Sequence, residues 1–460
     1  MRAPNILLIV IDDMGWRDLG CYGSTFYETP VLDALAARGT KFTQAYAASP
    51  VCSPTRASLL TGKYPSRVGI TQYIGGHSVG ALADVPYFHG LPENEVSLAR
   101  ALRAGGYATW HIGKWHLGEH RHSPERHGFE INIGGCSIGS PQTYFSPYGI
   151  KTLADGPAGE YLTDRLTNEA IKLIQTAADK PFFLNLWHYA VHTPMDAPPS
   201  LISKYEEKAQ ALELDTCGVM QGEPMPAWHL QGSRIQRRVV QSHPGYAAMI
   251  ENLDTNVGRL IDALEDTGKI ENTLILFTSD NGGLSTAEGS PTCNAPLAEG
   301  KGWTEDGGLR VPFIACWPGR IPQGESASMF SSPDLYPTLL HAAGLPPRPE
   351  QHVDGVNLWP NWTGEADEPR GPIFWHYPHY SNQGGRPSAA VRDGDFKLIR
   401  WFDDGRLSLY NLADDIGERH DLAPAHPEIA VRLARVLEDW CRDVRAIFPQ
   451  TNPYSFFPPG

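Results

Sequence analysis

The 460-residue chain has no apolar run near the ~18 to 20 residues that cross a bilayer as a helix, which excludes a helical span. Its seven cysteines are widely scattered and form no CxxC pair, so neither a cysteine zinc cage nor a small disulfide framework is indicated. Positive charge is scarce: 38 Lys and Arg face 52 Asp and Glu, a formal net charge of -14. That balance argues against nucleic acid or an anionic membrane as a partner. It also repels an anionic substrate at long range, so any anion site must be made locally positive. No internal repeat or low-complexity segment is present. Met1-Arg2-Ala3-Pro4 runs straight into the short apolar segment Ile6 to Ile11, without the longer core and cleavage site of a signal peptide. The expectation is a soluble protein, cytoplasmic as written, or periplasmic or secreted if an export signal has been removed.

What is present is an α/β pattern. The length exceeds what one core usually covers, so a large domain (1–350) and a smaller one (351–460) are expected. Asn5 to Ile11 is a continuous β-branched run, the mark of a strand buried on both faces of a parallel sheet. Asp12 and Asp13 follow at its carboxyl end, the edge where such sheets bind ligands. Adjacent buried carboxylates repel unless a cation or donors neutralise them; the plainer reading is a solvated turn. In Pro50 to Gly62, Pro54 suits a first helical turn and puts Cys52 at or just before a helix N-terminus, with Arg56 one turn on. That position also lowers a thiol's pKa, so a cysteine-nucleophile hydrolase is one reading.

Tyr107 to Ile112 reads as a strand leading into Gly113-Lys114-Trp115-His116, where an extended backbone puts Lys114 and His116 on one side. His192 lies just beyond the strand Pro181 to Trp187. Asn272 to Ser279 is a strand ending in Asp280-Asn281, whose oxygens suit calcium or magnesium. The two acidic strand ends converge on one cation if their strands are neighbours. Tyr246 to Leu264 carries the clearest amphipathic helix. Gln72 to Gly90 reads as a long irregular surface loop, and Ala197 to Gln241 as a polar surface excursion. Beyond residue 350, Ala389 to Leu412 reads as antiparallel strands with Asp-Gly turns, and Ile429 to Val444 as a closing helix.

Five elements together resemble the type I sulfatases: the Cys52-Ser53-Pro54-Thr55-Arg56 signature; Gly106 to Thr109 followed by Gly113 to His116; the Asp/Asn strand ends; His192-Thr193-Pro194; and Gly307-Gly308-Leu309-Arg310-Val311-Pro312. The resemblance is nearest to bacterial carbohydrate sulfatases of the arylsulfatase and N-acetylgalactosamine (galactose) sulfatase type. It implies an alkaline-phosphatase-like α/β sandwich with a central, mostly parallel mixed sheet, plus a smaller C-terminal α+β domain with an antiparallel sheet.

It further implies that a formylglycine-generating maturation enzyme oxidises Cys52 to formylglycine (3-oxoalanine), whose gem-diol attacks sulfur. A divalent cation, calcium by family expectation with magnesium as the alternative, is then held by Asp12, Asp13, Asp280, Asn281 and residue 52. By the same resemblance Arg56 and Lys114 anchor the formylglycine and His116 takes its proton. His192 and Lys301 bind sulfate and the leaving oxygen, with His192 as acid. Tyr73, His376, His379 and Arg386 are expected to contact the sugar, favouring exo-desulfation of galactose or N-acetylgalactosamine sulfate. The alternatives are a phosphonate or phosphate diester hydrolase of the same superfamily and a non-catalytic sulfated-glycan-binding relative. The sequence leaves the oligomeric state open.

Overall fold

The β-branched run Asn5–Ile11 forms β1, inside a nine-stranded sheet. A computed structural model describes residues 3–454. In chain order β1 is followed by β2 (Thr40–Tyr46), β3 (Ala108–Gly113), β4 (Ile131–Ile133), β5 (Phe182–Trp187), and a separate hairpin of β6 (Val219–Pro224) and β7 (Arg234–Arg238). Then come β8 (Thr273–Ser279), β9 (Arg310–Cys316), and the short strands β10 (Gly324–Ser326) and β11 (Phe330–Ser331). The large sheet runs β10-β2-β9-β8-β1-β5-β3-β4, with β11 also on β2. From β8 to β4 the pairing is parallel, while β9 runs antiparallel to both β8 and β2. The sheet is therefore mixed and mostly parallel, as the sequence indicates.

Side-chain alternation along β1 explains the layers. Leu7, Ile9 and Ile11 enter one core with the helices Leu162–Thr176 and Pro244–Asp266. Ile6, Leu8 and Val10 enter a second core with Leu59 and Leu60 of the Cys52–Thr61 helix. Each such fully buried side chain contributes roughly 1.5–3 kcal/mol of transfer free energy. Every residue of the Cys52–Thr61 helix is buried, and the helix closes at Gly62 with φ 68°. A Cβ there would also lie 2.4 Å from His352 Cβ, so glycine is required twice over.

A second, antiparallel sheet follows in the order β12 (Ile373–Tyr377), β13 (Ser388–Asp393), β14 (Phe396–Trp401) and β15 (Leu407–Asn411). The helix Pro427–Asp443 packs one face through Leu433, Leu437 and Trp440. The other face, through Trp375 and Ile399, meets Tyr46 and Leu309 of the main body.

Residues 197–241, expected as a polar surface excursion, hold the helix Pro199–Ala211 and the β6–β7 hairpin. Only Tyr205 and Ala209 of that helix are buried, too few to give a readable helical period. The hairpin is held by backbone bonds from Gln236 to Thr286 and from Arg238 to Ser285, which no local pattern announces. Residues 72–90 do lack regular elements, yet Gln72 is buried, so this loop is partly interior.

Candidate active site

Parallel pairing brings the chemistry to one edge. Ile11 pairs with Ser279 across β1 and β8, so Asp12 and Asp280 leave adjacent strands at the same level. Trp187 at the end of β5 pairs with Val10 on one side and Gly113 on the other. Asp13 adopts φ 64° immediately beyond β1, and its N–H donates to Asp280 Oδ1 at 3.3 Å. Cys52 enters this edge as the first residue of its helix, after Val51 in extended conformation.

Lys114 and His116 arrive differently from the sequence expectation. The strand stops at Gly113, where φ is 95° and a Cβ would lie 2.0 Å from Trp187 O. His116 itself has φ 54°, so the two side chains are set by a turn rather than by extended alternation. Both still reach the site: Lys114 Nζ donates to Asp12 Oδ2 at 2.6 Å, and His116 lines the cleft over Cys52.

Three cations meet three carboxylates here, all buried. Arg56 Nε donates to Asp280 Oδ2 at 2.9 Å, and its Nη1 to Lys114 O at 3.1 Å. The guanidinium also lies 5.0 Å from the Trp187 ring centroid, a cation–π contact. Lys301 Nζ donates to Asp13 Oδ2 at 2.7 Å and to His192 Nε2 at 3.0 Å. The turn carrying Lys301 is tied to the cysteine stretch, because Gly302 N–H donates to Pro50 O at 2.8 Å.

Burial pushes the Asp12 carboxyl up strongly, helped by Asp280 and Asp13 and opposed by Lys114. Burial acts the same way on Asp13, but Lys301, His192 and Lys114 overcome it and hold that carboxyl below the usual range. Burial pushes the Cys52 thiol up, against Lys114 and Lys301, so the helix terminus does not make it a thiolate. Burial would discharge Lys301, but Asp13 and the Cys52 and Asp12 groups keep it charged.

The histidines stay neutral. Burial, then Lys301, pulls His192 down to about 3 against Asp13, and burial with Lys114 pulls His116 well below its ordinary value. Carbonyl partners set their tautomers. His192 Nδ1–H donates to Thr193 O at 2.9 Å, leaving Nε2 to accept from Lys301. His116 Nε2–H donates to Ile74 O at 3.0 Å, leaving its buried Nδ1 without a partner.

The residues fit a hard divalent cation. Donor atoms of Asp12, Cys52 and Asp280 lie within 4.8 Å of one another. Asp12 Oδ1 and Asn281 Oδ1 are buried and accept no hydrogen bond, while Asn281 Nδ2 orients Asp13 through a 2.8 Å bond to Oδ1. Buried oxygens left unpaired in this way are costly without a ligand.

The cleft over Cys52 has a volume of about 290 Å³. His116, His192 and Lys301 line it with Cys52, and Tyr73 stands in its wall. The structure does not bring His376, His379 or Arg386 there. His376 is bonded to Ser66 and packed on Phe402 and Phe448. His379 bridges Thr71 Oγ1 (2.9 Å) and Asp84 (2.8 Å), bracing the loop behind Tyr73. Arg386 is exposed and pairs with Asp403 at 3.2 Å. The chain turns inward only after the His-Tyr-Pro-His-Tyr stretch, so Asn382 and Gln383 take the wall positions. Sequence reasoning missed those two amides and Glu288, none of which stands in a strand-end motif. It also missed Ser53, whose hydroxyl donates to His116 O (2.8 Å) and accepts from Ile74 N–H (3.0 Å), locking floor to wall. Its place beside Cys52 was the available signal. A larger cleft of about 690 Å³, between Gln44, Glu325 and Asp393, contains none of these groups.

Comparison with known proteins agrees with this geometry. The sulfatase family model matches residues 4–345, and that for the C-terminal region of N-sulphoglucosamine sulphohydrolase matches 300–442. The chain is 34% identical over 430 residues to N-acetylgalactosamine-6-sulfatase of Canis lupus familiaris, covering 87% of this chain and 72% of that one. Against arylsulfatase A of Homo sapiens identity is 32% over 478 residues, covering 95% and 87%. The crystal structure of Ps i-CgsB in complex with k-i-k-neocarrahexaose superposes with TM-score 0.78 at 29% identity, covering 98% of this chain and 96% of that one. The mixed sheet with its antiparallel companion is thus the alkaline-phosphatase-like arrangement of these enzymes, and the chain belongs to the sulfatase family.

Proposed function

We propose that this sulfatase hydrolyses the sulfate ester of a sulfated carbohydrate, exo-acting on a galactose or N-acetylgalactosamine sulfate, with Cys52 as precursor of a formylglycine nucleophile. The observation that carries the reading is Cys52 on the floor of the cleft, among three cations and three carboxylates, in a cluster where the buried Asp12 Oδ1 and Asn281 Oδ1 accept no hydrogen bond. The relatives named above act, by name, on N-acetylgalactosamine 6-sulfate and aryl sulfates, and one structural neighbour holds a neocarrahexaose.

Each residue has a role its geometry supports. Asp12, Asp13, Asp280 and Asn281 would hold the divalent cation, calcium in our reading. The cation, when bound, supplies Lewis-acid polarisation of sulfate oxygens and of the group at position 52. Lys114 and Arg56 fix the Asp12 and Asp280 carboxylates and keep positive charge under the anion, which the acidic surface does not provide. Lys301 carries a proton and shares it with His192 Nε2 at 3.0 Å, so the pair can deliver it to the leaving oxygen. His116 keeps Nδ1 open as an acceptor, the form needed to take a proton from the residue-52 hydroxyl during sulfate release.

The test compares a matured, calcium-loaded preparation on aryl sulfate, monosulfated sugars and phosphonate monoesters. Sulfate release with a strong preference over phosphonate supports the reading. A strong phosphonate preference assigns the protein to diester hydrolysis instead, and binding without turnover makes it a glycan-binding relative. Intact mass reports maturation: formylglycine lacks the sulfur and two hydrogens of cysteine and gains one oxygen, so the matured chain is lighter as the aldehyde. Because the gem-diol hydrate weighs almost the same as cysteine, maturation is read on the dehydrated aldehyde or after an aldehyde-specific hydrazide tag, and an active preparation that shows neither overturns the formylglycine assignment.

A further inference from the structure

The upper wall of the cleft is built unlike its floor. Its polar groups are Tyr73, Ser140, Glu288, Asn382 and Gln383, and among the described residues lining the cleft the only Lys or Arg is Lys301. Gln383 is 4% exposed, its amide N–H donates to Glu288 Oε1 at 2.5 Å, and its own Oε1 has no partner. Asn382 Nδ2 donates to the Tyr73 hydroxyl oxygen at 2.8 Å, leaving the Tyr73 proton free to donate outward. Glu288 is held with φ 54° in the left-handed region, an uncommon state for a non-glycine that fixes the loop bearing its carboxylate. Nearby arginines are already committed: Arg237 to Glu299 and Glu223, Arg386 to Asp403.

We infer that this wall selects an electroneutral sugar residue bearing a single sulfate, with Glu288 accepting hydroxyl or acetamido N–H protons, and that Glu288 rejects substrates carrying a second anion beside the scissile ester. The inference rests on the sulfatase reading above and deepens it. A carboxylate is an acceptor only, so it needs donors. Hydroxyls and N–H groups donate; a second sulfate or a uronate carboxylate adds charge repulsion against the exposed Glu288 carboxylate at the cleft wall. The -14 net charge acts in the same sense at longer range.

The experiment measures kcat/KM of the matured, calcium-loaded enzyme for first-sulfate release from monosulfated hexoses and N-acetylhexosamines, and from the same sugars carrying a second sulfate or a linked uronate. Wild type should favour the monosulfates by about tenfold or more at low salt. That ratio should shrink near 1 M salt, where the screening length falls to about 3 Å. Glu288→Gln should bring the ratio towards unity and Glu288→Lys should invert it, with the change carried by KM. A wild-type ratio of one or below overturns the inference, as does a ratio that neither variant moves. Aryl sulfate, assayed alongside, separates the two levels. Turnover of aryl sulfate without discrimination among sugars overturns this inference alone; no turnover of any sulfate ester overturns the sulfatase reading as well.

Discussion

Among the described residues, one buried cluster of lysine and carboxylate sits under Cys52 and another between the two sheets. In the second, Lys397 of β14 donates to Asp306 Oδ1 (2.8 Å) and pairs with Glu418 at 2.9 Å. Asp306 Oδ2 accepts from Tyr46 Oη–H at 2.7 Å, and its backbone N–H donates to Glu418 Oε2 at 2.6 Å. Burial pushes Asp306 up, but Lys397, Arg310 and Arg392 hold it below the usual carboxylate range. At the first cluster Asp12 goes the other way, and Asp12 Oδ1 accepts no hydrogen bond, facing Arg56 Nη2 only at 3.7 Å. The same residue types thus lie buried between two sheets in one place and on the floor of an open cleft in the other. Buried charge by itself does not mark catalysis; the open cleft above it distinguishes the two.

The contrast can be broken by mutation. Cys52→Ala should remove turnover by roughly 10^4-fold or more, the scale of losing a nucleophile, while the protein remains folded. Retained sulfate release in that variant refutes the role of Cys52. Lys397→Met should leave Glu418 without a cation and Asp306 with only Arg310 and Arg392, and cost about 3–5 kcal/mol in urea unfolding. A shift below 1 kcal/mol would make the joint dispensable. Asp12→Asn and Asp306→Asn should then differ in sign. With chelator present, the first should leave stability unchanged or raised, and the second should lower it by about 1–3 kcal/mol. Equal losses would erase the distinction between the clusters.

A pH series sharpens the joint further. Burial and Asp306, against Lys397, push Glu418 from 4.5 up to about 7. An acid raised in this way contributes stability that is complete below about pH 4.5 and is lost as pH climbs through about 7. Glu418→Gln should therefore flatten the fall in unfolding free energy across that window, by up to about 1.4 kcal/mol per pH unit. An unchanged slope would place the titration elsewhere. The smallest effect belongs to the rim: Arg386→Ala should change stability by no more than about 0.5 kcal/mol and kcat/KM by less than about twofold, because its partner Asp403 lies outside the cleft. A large rise in KM would return Arg386 to the sugar.

The catalytic edge was legible because each of its parts follows a strong local signal. Asn5 to Ile11 and Thr273 to Ser279 are apolar enough to be strands buried on both faces, so their trailing acids must emerge together once the strands pair. Cys52 and Pro54 identify a helix start from two residues. The wall resisted the same treatment. His376 and His379 look like ligand-binding residues in sequence, but both face inward and brace the Ser66–Asp84 loop. Asn382 and Gln383, which do line the cleft, carry no periodicity and no charge to draw attention. The Gly307–Pro312 run counts in sequence only towards the family resemblance, whereas the Asp306 before it serves the joint with β14.

The sequence by itself determined the strands, the acids at their ends, the cysteine at the helix start and the need for local positive charge, since each depends on neighbours within a few residues. Only the tertiary structure decided which charges are paired and which oxygens are left open, and which loop residues form the wall. Those outcomes depend on contacts between segments hundreds of residues apart, such as Asp13 with Lys301 and Tyr73 with Asn382. Desolvation and pairing act on the assembled site, and no local pattern encodes them.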